Sequence, residues 1–385
     1  MPGWMGLALA LATAQAGEGQ EAKKQTATEH ARRLLDEALL AELELERKGL
    51  EPTDEIVARF RGAANAMPQY LAAQFDFAVA LERAGKLAEA EQAWRAAADA
   101  QAGEKALRVV AAERAMYLAL SRKDAPAARQ AAQVAAALVK EPGSALSIKA
   151  EVELQLGAVE EAAKLARQAL MHGPKNARAL VVLARAQLAL GQPGTAKILA
   201  RRAASDAPQE AQPHLVLAEV ARAASEGPAE LAEARAAAEA QPGSLEAQMA
   251  LGKLLFDRGD AAGAQVPFTK AVELDGDQAA PHLGLGAALA EQGQTAKAED
   301  ELGVAAELSP AAAGPHLLLA RLKLDREHDA GAALEEAKLF LKLSQPAPPA
   351  SHQVHLLMQR CERMLAGKSH GKPVAVAPGQ QGGTP

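Results

Sequence analysis

Three histidines stand in one local setting: His214, His282 and His316 each follow a proline, at Pro213, Pro281 and Pro315. Imidazoles recurring this way could hold a metal ion, and zinc would require their nitrogens about 2 Å from a single centre. The three lie 68 and 34 residues apart and belong to separate helices, which pack about 10 Å from one another. Packing within each segment fits them better than a shared metal. His352 and His355, three apart, could share one helix face, but no third ligand stands near them and no metal site is expected. Gly284-Leu285-Gly286 begins like a dinucleotide loop and then lacks the third glycine and the preceding strand. There is no phosphate-loop pattern, no Gly-x-Ser-x-Gly and no Cys/His pair at catalytic spacing. Carboxylate neighbours such as Asp300-Glu301 and Glu335-Glu336 suit solvated helix faces. The residues predict no enzyme and no cofactor.

The elements that carry these residues repeat. From Gly143 to about Gln345 one pattern returns every 34 residues, with Pro174, Pro208, Pro242 and Pro310 in frame and Gly276 in the one vacant place. Leu183, Leu217, Leu251, Leu285 and Leu319 keep the same step. Beside them run the small residues Ala150, Ala184, Ala218, Gly252, Gly286 and Ala320. Ala169, Ala203, Ala237, Ala271 and Ala305 form a further row, and Gly157, Gly191, Gly259 and Gly293 another. Alanine is common enough here that its matches weigh little alone. Proline and glycine rows in one register weigh more.

This period and pattern resemble the tetratricopeptide repeat (TPR), in which small residues of two antiparallel helices meet and proline follows the second helix. In frames 143–176, 177–210, 211–244, 245–278 and 279–312, Ala162, Ala196, Ala264 and Ala298 hold the twentieth position. The 211–244 frame departs, with Ser225 for the turn glycine and Glu230 for the twentieth alanine, so a turn remodelled around Gly227-Pro228 is expected. The resemblance implies an all-α protein, a right-handed α-solenoid of stacked TPR helix-turn-helix repeats, because a lone hairpin cannot bury its apolar face. The three histidines fall at the fourth position of their repeats, which in the family packs within the hairpin.

The rest of the chain reads as an elaboration of that array. Trp4–Ala12 is apolar and Ala14-Gln15-Ala16 is a small-x-small triplet, so 1–16 reads as a cleaved export signal, although no Lys or Arg precedes the run. A polar linker is expected over 17–26, then a degenerate helical pair over 27–70, with a long helix from about Ala27 to Lys48 and a second to about Asn65. The TPR solenoid is assigned to 71–345. Its 109–142 repeat is irregular, with Lys123-Asp124 at the turn and Pro142 two residues late. In the 313–345 frame Glu327 replaces the turn glycine and one extra residue enters near Asp329–Gly331. A capping helix is expected over 351–366 and a disordered tail over 367–385.

At 385 residues the uniform repeat predicts one array without an internal boundary. A net charge of −6 gives no electrostatic footprint for nucleic acid. The single Cys361 cannot form an internal disulfide and, on the apolar face of the last helix, is expected to be buried.

In TPR proteins positions two, five, nine, twelve and thirteen of the first helix line a concave surface that usually holds a peptide or protein. Carried over, these are Arg178, Val181, Arg185, Leu188, Gln212, Leu215, Glu219, Arg222, Glu246, Met249, Lys253, Phe256, Asp257, Leu283, Leu317, Arg321, Leu324 and Asp325. The expectation is that Arg178, Arg185, Arg222, Lys253 and Arg321 orient carboxylates of a ligand while Phe256, Met249 and Leu317 anchor it. The chain's two asparagines, Asn65 and Asn176, both lie near helix ends or inter-repeat loops. That argues against the two-Asn carboxylate clamp by which some TPR proteins grip chaperone C-termini. The leading expectation is a non-enzymatic scaffold binding partner proteins in the periplasm, in pilus, motility, secretion or polysaccharide-export assembly, with no stable membrane anchor after signal cleavage. Two other readings stand beside it, a polysaccharide-binding export accessory and a cytosolic (cytoplasmic) adaptor.

Overall fold

The computed structural model describes residues 22–47, 54–101, 103–325, 328–346, 348–349 and 352–369. Among them every regular element is an α-helix. The chain divides into two compact units, Met1–Pro242 and Gly243–Pro385. The expected signal at 1–16 and the tail beyond Ser369 lie outside the described residues.

The N-terminal unit holds α1 (Ala22–Arg47), α2 (Asp54–Ala66), α3 (Leu71–Arg83), α4 (Leu87–Asp99), α5 (Lys105–Ser121), α6 (Ala125–Leu138), α7 (Pro142–Gln155), α8 (Val159–His172), α9 (Ala177–Ala189), α10 (Pro193–Asp206), α11 (Ala211–Ala223) and α12 (Gly227–Ala240). The C-terminal unit holds α13 (Leu245–Asp257), α14 (Ala261–Leu274), α15 (Ala279–Glu291), α16 (Thr295–Leu308), α17 (Ala313–Asp325), α18 (Ala330–Leu343) and α19 (Gln353–Ser369). Within each unit a helix packs chiefly on its sequence neighbours, as stacked hairpins require. Helix α1 starts five residues before the expected Ala27, inside the stretch read as a polar linker, because Lys, Gln and Ala there are good helix formers. Helix α19 likewise runs to Ser369, three residues into the stretch read as a disordered tail.

Local chemistry sets the helix ends. Asp124, Asn176, Ser244 and Asp260 accept the backbone N–H three residues on, from Ala127, Ala179, Ala247 and Gly263, which satisfies one of the unpaired donors of the first turn. Between the helices of a pair the backbone turns left-handed. At Gly191 (φ 73°) the Gly191 N–H reaches the Leu188 carbonyl and the Gln192 N–H the Gln187 carbonyl, the two bonds of a Schellman motif. Ser225 (φ 57°) closes the same pair of bonds, Ser225 to Arg222 and Glu226 to Ala221. The expected remodelling around Gly227-Pro228 therefore does not occur: the two bonds compensate a serine for the left-handed geometry, and Pro228 sits in the first turn of α12, where its missing N–H costs nothing. Lys123 (φ 61°) and His328 (φ 55°) take the corresponding place in their turns. At the latter the closing bond runs from the Asp329 N–H to the Lys323 carbonyl, one residue longer than elsewhere, so the extra residue enters between Lys323 and His328, ahead of the Asp329–Gly331 stretch where it was expected. Pro142, read as a late helix terminator, instead opens α7.

The eighth position of the first helix faces the twenty-fourth of the second, and their combined volume fills one gap. In the N-terminal unit Ala150 and Ala166 share one buried cluster and Ala184 and Ala200 another. In the C-terminal unit the pairs are Gly252 with Phe268 and Gly286 with Leu302: a Cβ on Gly252 would stand 2.8 Å from the Phe268 ring, and one on Gly286 2.7 Å from Leu302 Cγ. Small must oppose large there, since interiors are packed to crystal density. At the end of the C-terminal unit α19 lays Val354 and Cys361 onto α17 and α18, both fully buried. It packs along the outer side of the α17–α18 hairpin.

Candidate partner-binding surface

Every first helix places its second, fifth, ninth and twelfth residues on one face, because steps of three and four residues keep to a single stripe over about three turns. In the N-terminal unit much of that face is bonded to itself. Arg178 donates from Nη1 to Glu113 at 2.6 Å and from Nε to Glu151 at 2.5 Å. Tyr117 donates its hydroxyl to the other oxygen of Glu151 at 2.5 Å. One guanidinium on α9 thus joins carboxylates on α5 and α7. Burial opposes the charge of Arg178, but Glu151 and Glu113 outweigh it and hold its pKa above the ordinary arginine value. Burial, then the Glu151 charge, raises the Tyr117 phenol above its usual range. Further along, Arg185 bonds Glu219, 34 residues on, at 3.2 Å.

The remaining N-terminal residues divide. Val181 and Leu215 are 6% and 5% exposed; they were expected on an open surface and instead pack into the core, because the fifth position meets the neighbouring first helix. Leu188 is half-buried against the same cluster. Arg222 is exposed and has no ion pair among the described residues.

In the C-terminal unit the same face opens into a groove. One stretch of about 330 Å³ is lined by Phe256 of α13, Ala287, Ala290 and Glu291 of α15, and Leu318, Arg321, Leu322 and Asp325 of α17. Sharing Leu318, Arg321 and Asp325, a second stretch of about 240 Å³ adds Leu317 and Leu324 and continues onto Gln353, Leu356, Leu357 and Arg360 of α19. The floor is apolar, and Leu356 is 63% exposed. Two ion pairs edge it, Arg321 with Glu291 and Arg360 with Asp325, each at 2.5 Å.

The structure therefore gathers Phe256, Leu317, Arg321 and Leu324. Leu324 is only 1% exposed and forms floor more than contact, a correction to its expected role. Met249 and Leu283 are half-buried outside this lining, and Lys253 turns back to Asp257 on its own helix at 3.3 Å. Sequence reasoning missed Leu318, Leu322, Leu356 and Arg360. The exposed apolar side of α19 was the available signal for Leu356.

Each of the three histidines is held within its own hairpin. His214, His282 and His316 each meet a glutamate of the paired helix: Glu233 at 2.8 Å, Glu301 at 2.6 Å and Glu336 at 2.8 Å. The spacing is 19 residues in the first two pairs and 20 in the third, where the turn carries its extra residue. His282 also reaches the Gly276 carbonyl at 2.9 Å, which ties down the one repeat end that lacks proline. Among the described residues no group of three or more His, Cys, Asp or Glu could hold a metal ion, and no helix is long and apolar enough to cross a membrane.

The family model of the tetratricopeptide repeat matches residues 153–220. The chain carries tetratricopeptide repeats. No curated protein matches it. Solved structures of similar fold include the TPR protein YrrB, described as having an unusual peptide-binding site, at 17% identity and a TM-score of 0.44, covering 51% of this chain and 99% of YrrB. PilF of Pseudomonas aeruginosa is 20% identical with a TM-score of 0.47, covering 58% and 97%. PilW, described as a type IV pilus biogenesis factor, is 21% identical with a TM-score of 0.43, covering 50% and 87%.

Proposed function

We propose that this protein is a non-enzymatic TPR scaffold that holds a segment of a partner protein in the groove of its C-terminal unit, and that it works in the periplasm in assembly of a cell-envelope structure. The observation that carries the binding part is the groove itself: an apolar floor from Phe256, Leu318, Leu322 and Leu356 with arginines at its edge, the composition expected of a binding hot spot and its polar rim. The export part rests on the apolar run Trp4–Ala12 followed by Ala14-Gln15-Ala16. Phe256 is the sole aromatic along the groove lining, which favours a polypeptide over a sugar chain stacked on rings.

Two measurements test this reading. The full-length protein with a C-terminal tag, expressed in a Gram-negative host and fractionated, should give a periplasmic product whose mass begins at Gly17; a cytosolic product retaining the N-terminal segment would count against export. Partners captured from that fraction by the wild-type protein and by Leu356→Glu are then compared. A partner held by the wild type and lost by the variant supports the groove, whereas equal recovery would remove it from the account.

A further inference from the structure

One half-buried acid, with a single carboxyl oxygen sealed from solvent, plays no part in the surface above. Asp76 lies on α3, whose Ala72, Ala73 and Ala80 share an apolar cluster with Leu35 and Ala38 of α1. Its Oδ2 is buried and has no hydrogen-bond partner. The groups that could serve it are engaged elsewhere or unbonded. From α1 the charged neighbour is Glu42, 6% exposed, and the nearby guanidinium of α3, Arg83, donates to that Glu42 at 2.7 Å. Arg32 Nε of α1 and the hydroxyl of Tyr70, which precedes α3, are buried without partners and so do not bond Asp76. On α2, Arg59 turns to Glu55 and Arg61 to Glu89; on α4, Glu91 is held by Arg95 and Arg122. Two carboxylates therefore share an apolar interface, and Arg83 donates to one of them, Glu42. An ionised carboxylate left there without a partner is far more costly than a neutral acid.

We infer that α1 and α3 form a proton-operated latch, in which Asp76 is a neutral acid while α1 is docked and loss of its proton favours release of α1 from the first hairpin. Burial, and then the Glu42 charge, push the Asp76 carboxyl up to about 7. Released into water it would ionise near its ordinary value of 3.8. The docked form therefore holds a proton that the open form lacks between these limits. Docking is strongest below the lower limit, weakens by up to about tenfold per pH unit toward the upper one, and is flat above it. This is the reverse of the acid-induced loosening that paired carboxylates produce.

The test uses the full-length chain. Carbon-13 NMR of the Asp76 carboxyl should titrate near pH 7, and amide exchange in α1, normalised at each pH to the intrinsic rate, should report opening that grows about tenfold per unit from pH 5 to 7. Asp76→Asn should abolish that slope, and Glu42→Gln should lower the titration midpoint. An Asp76 midpoint near 4, or an Asp76→Asn protein that keeps the wild-type slope, would overturn the latch. Should Asp76→Asn not fold, the wild-type titration alone decides.

Discussion

The same face of the first helices is largely bonded to itself in one unit and partly open in the other. Along the first helices of the N-terminal unit, Arg178 and Arg185 are occupied by Glu113, Glu151 and Glu219 of the same chain. Along those of the C-terminal unit Arg321, at the position of Arg185, is likewise paired, with Glu291, but Ala287 takes that position on α15, and Phe256 and Leu317 of the same face line an open groove. The packing beneath varies from repeat to repeat: Ala150 meets Ala166 and Ala184 meets Ala200 in the first unit, while Gly252 meets Phe268 and Gly286 meets Leu302 in the second. A repeat fixes where side chains go, and the residues placed there decide whether the face binds itself or something else.

The largest way to break this comparison is Phe268→Ala. The ring is 3% exposed and lies against Gly252 and Gly284, so truncation leaves a cavity worth about 3–5 kcal/mol; urea unfolding should show the loss in the transition of the C-terminal unit. Gly284→Ala attacks the same contact from the other side. The added Cβ would stand 2.5 Å from the Phe268 ring, and overpacking should cost about 1–3 kcal/mol. Phe268→Leu should restore part of that loss in the double variant, and strict additivity would mean the two do not share a gap.

Binding should separate from stability at the next level. Phe256→Ala should weaken the partner by about 2 kcal/mol, or some 30-fold, as hot-spot truncations do, measured by titration calorimetry with the captured segment. Arg178→Ala should do the converse: stranding Glu113 and Glu151 should cost about 1–2 kcal/mol of N-terminal stability, with partner affinity unchanged. Smallest of all is Lys253→Ala, whose exposed pair with Asp257 on one helix turn should contribute about 0.3–0.5 kcal/mol.

The 34-residue frame was plain in the sequence because proline, glycine and small residues mark backbone geometry, which each repeat must satisfy alone. The last helix, with Val354 and Cys361, was legible for the same reason, as an apolar stripe with one place to go. Ser225 was not, since a turn closed by two backbone bonds tolerates a residue that frequency alone would reject. Nor was the fate of Arg178, which depends on Glu151, 27 residues back, and Glu113, 65 residues back, distances that match no whole number of periods. The His–Glu pairs carried a signal that went unused: His214–Glu233 and His282–Glu301 repeat one spacing within a single frame. The latch acid Asp76 lay hidden among apolar residues, where nothing in the local pattern separates a buried carboxylate from a solvated one.

Leu188 and Phe256 both hold the twelfth position of their frames, one in each unit. Placing a photo-crosslinking amino acid at each in turn, in otherwise wild-type protein in living cells, puts the central claim to its most direct test. The account predicts one discrete partner adduct from position 256 and none from 188. Equal adducts from both, or an adduct from 188 alone, would contradict it.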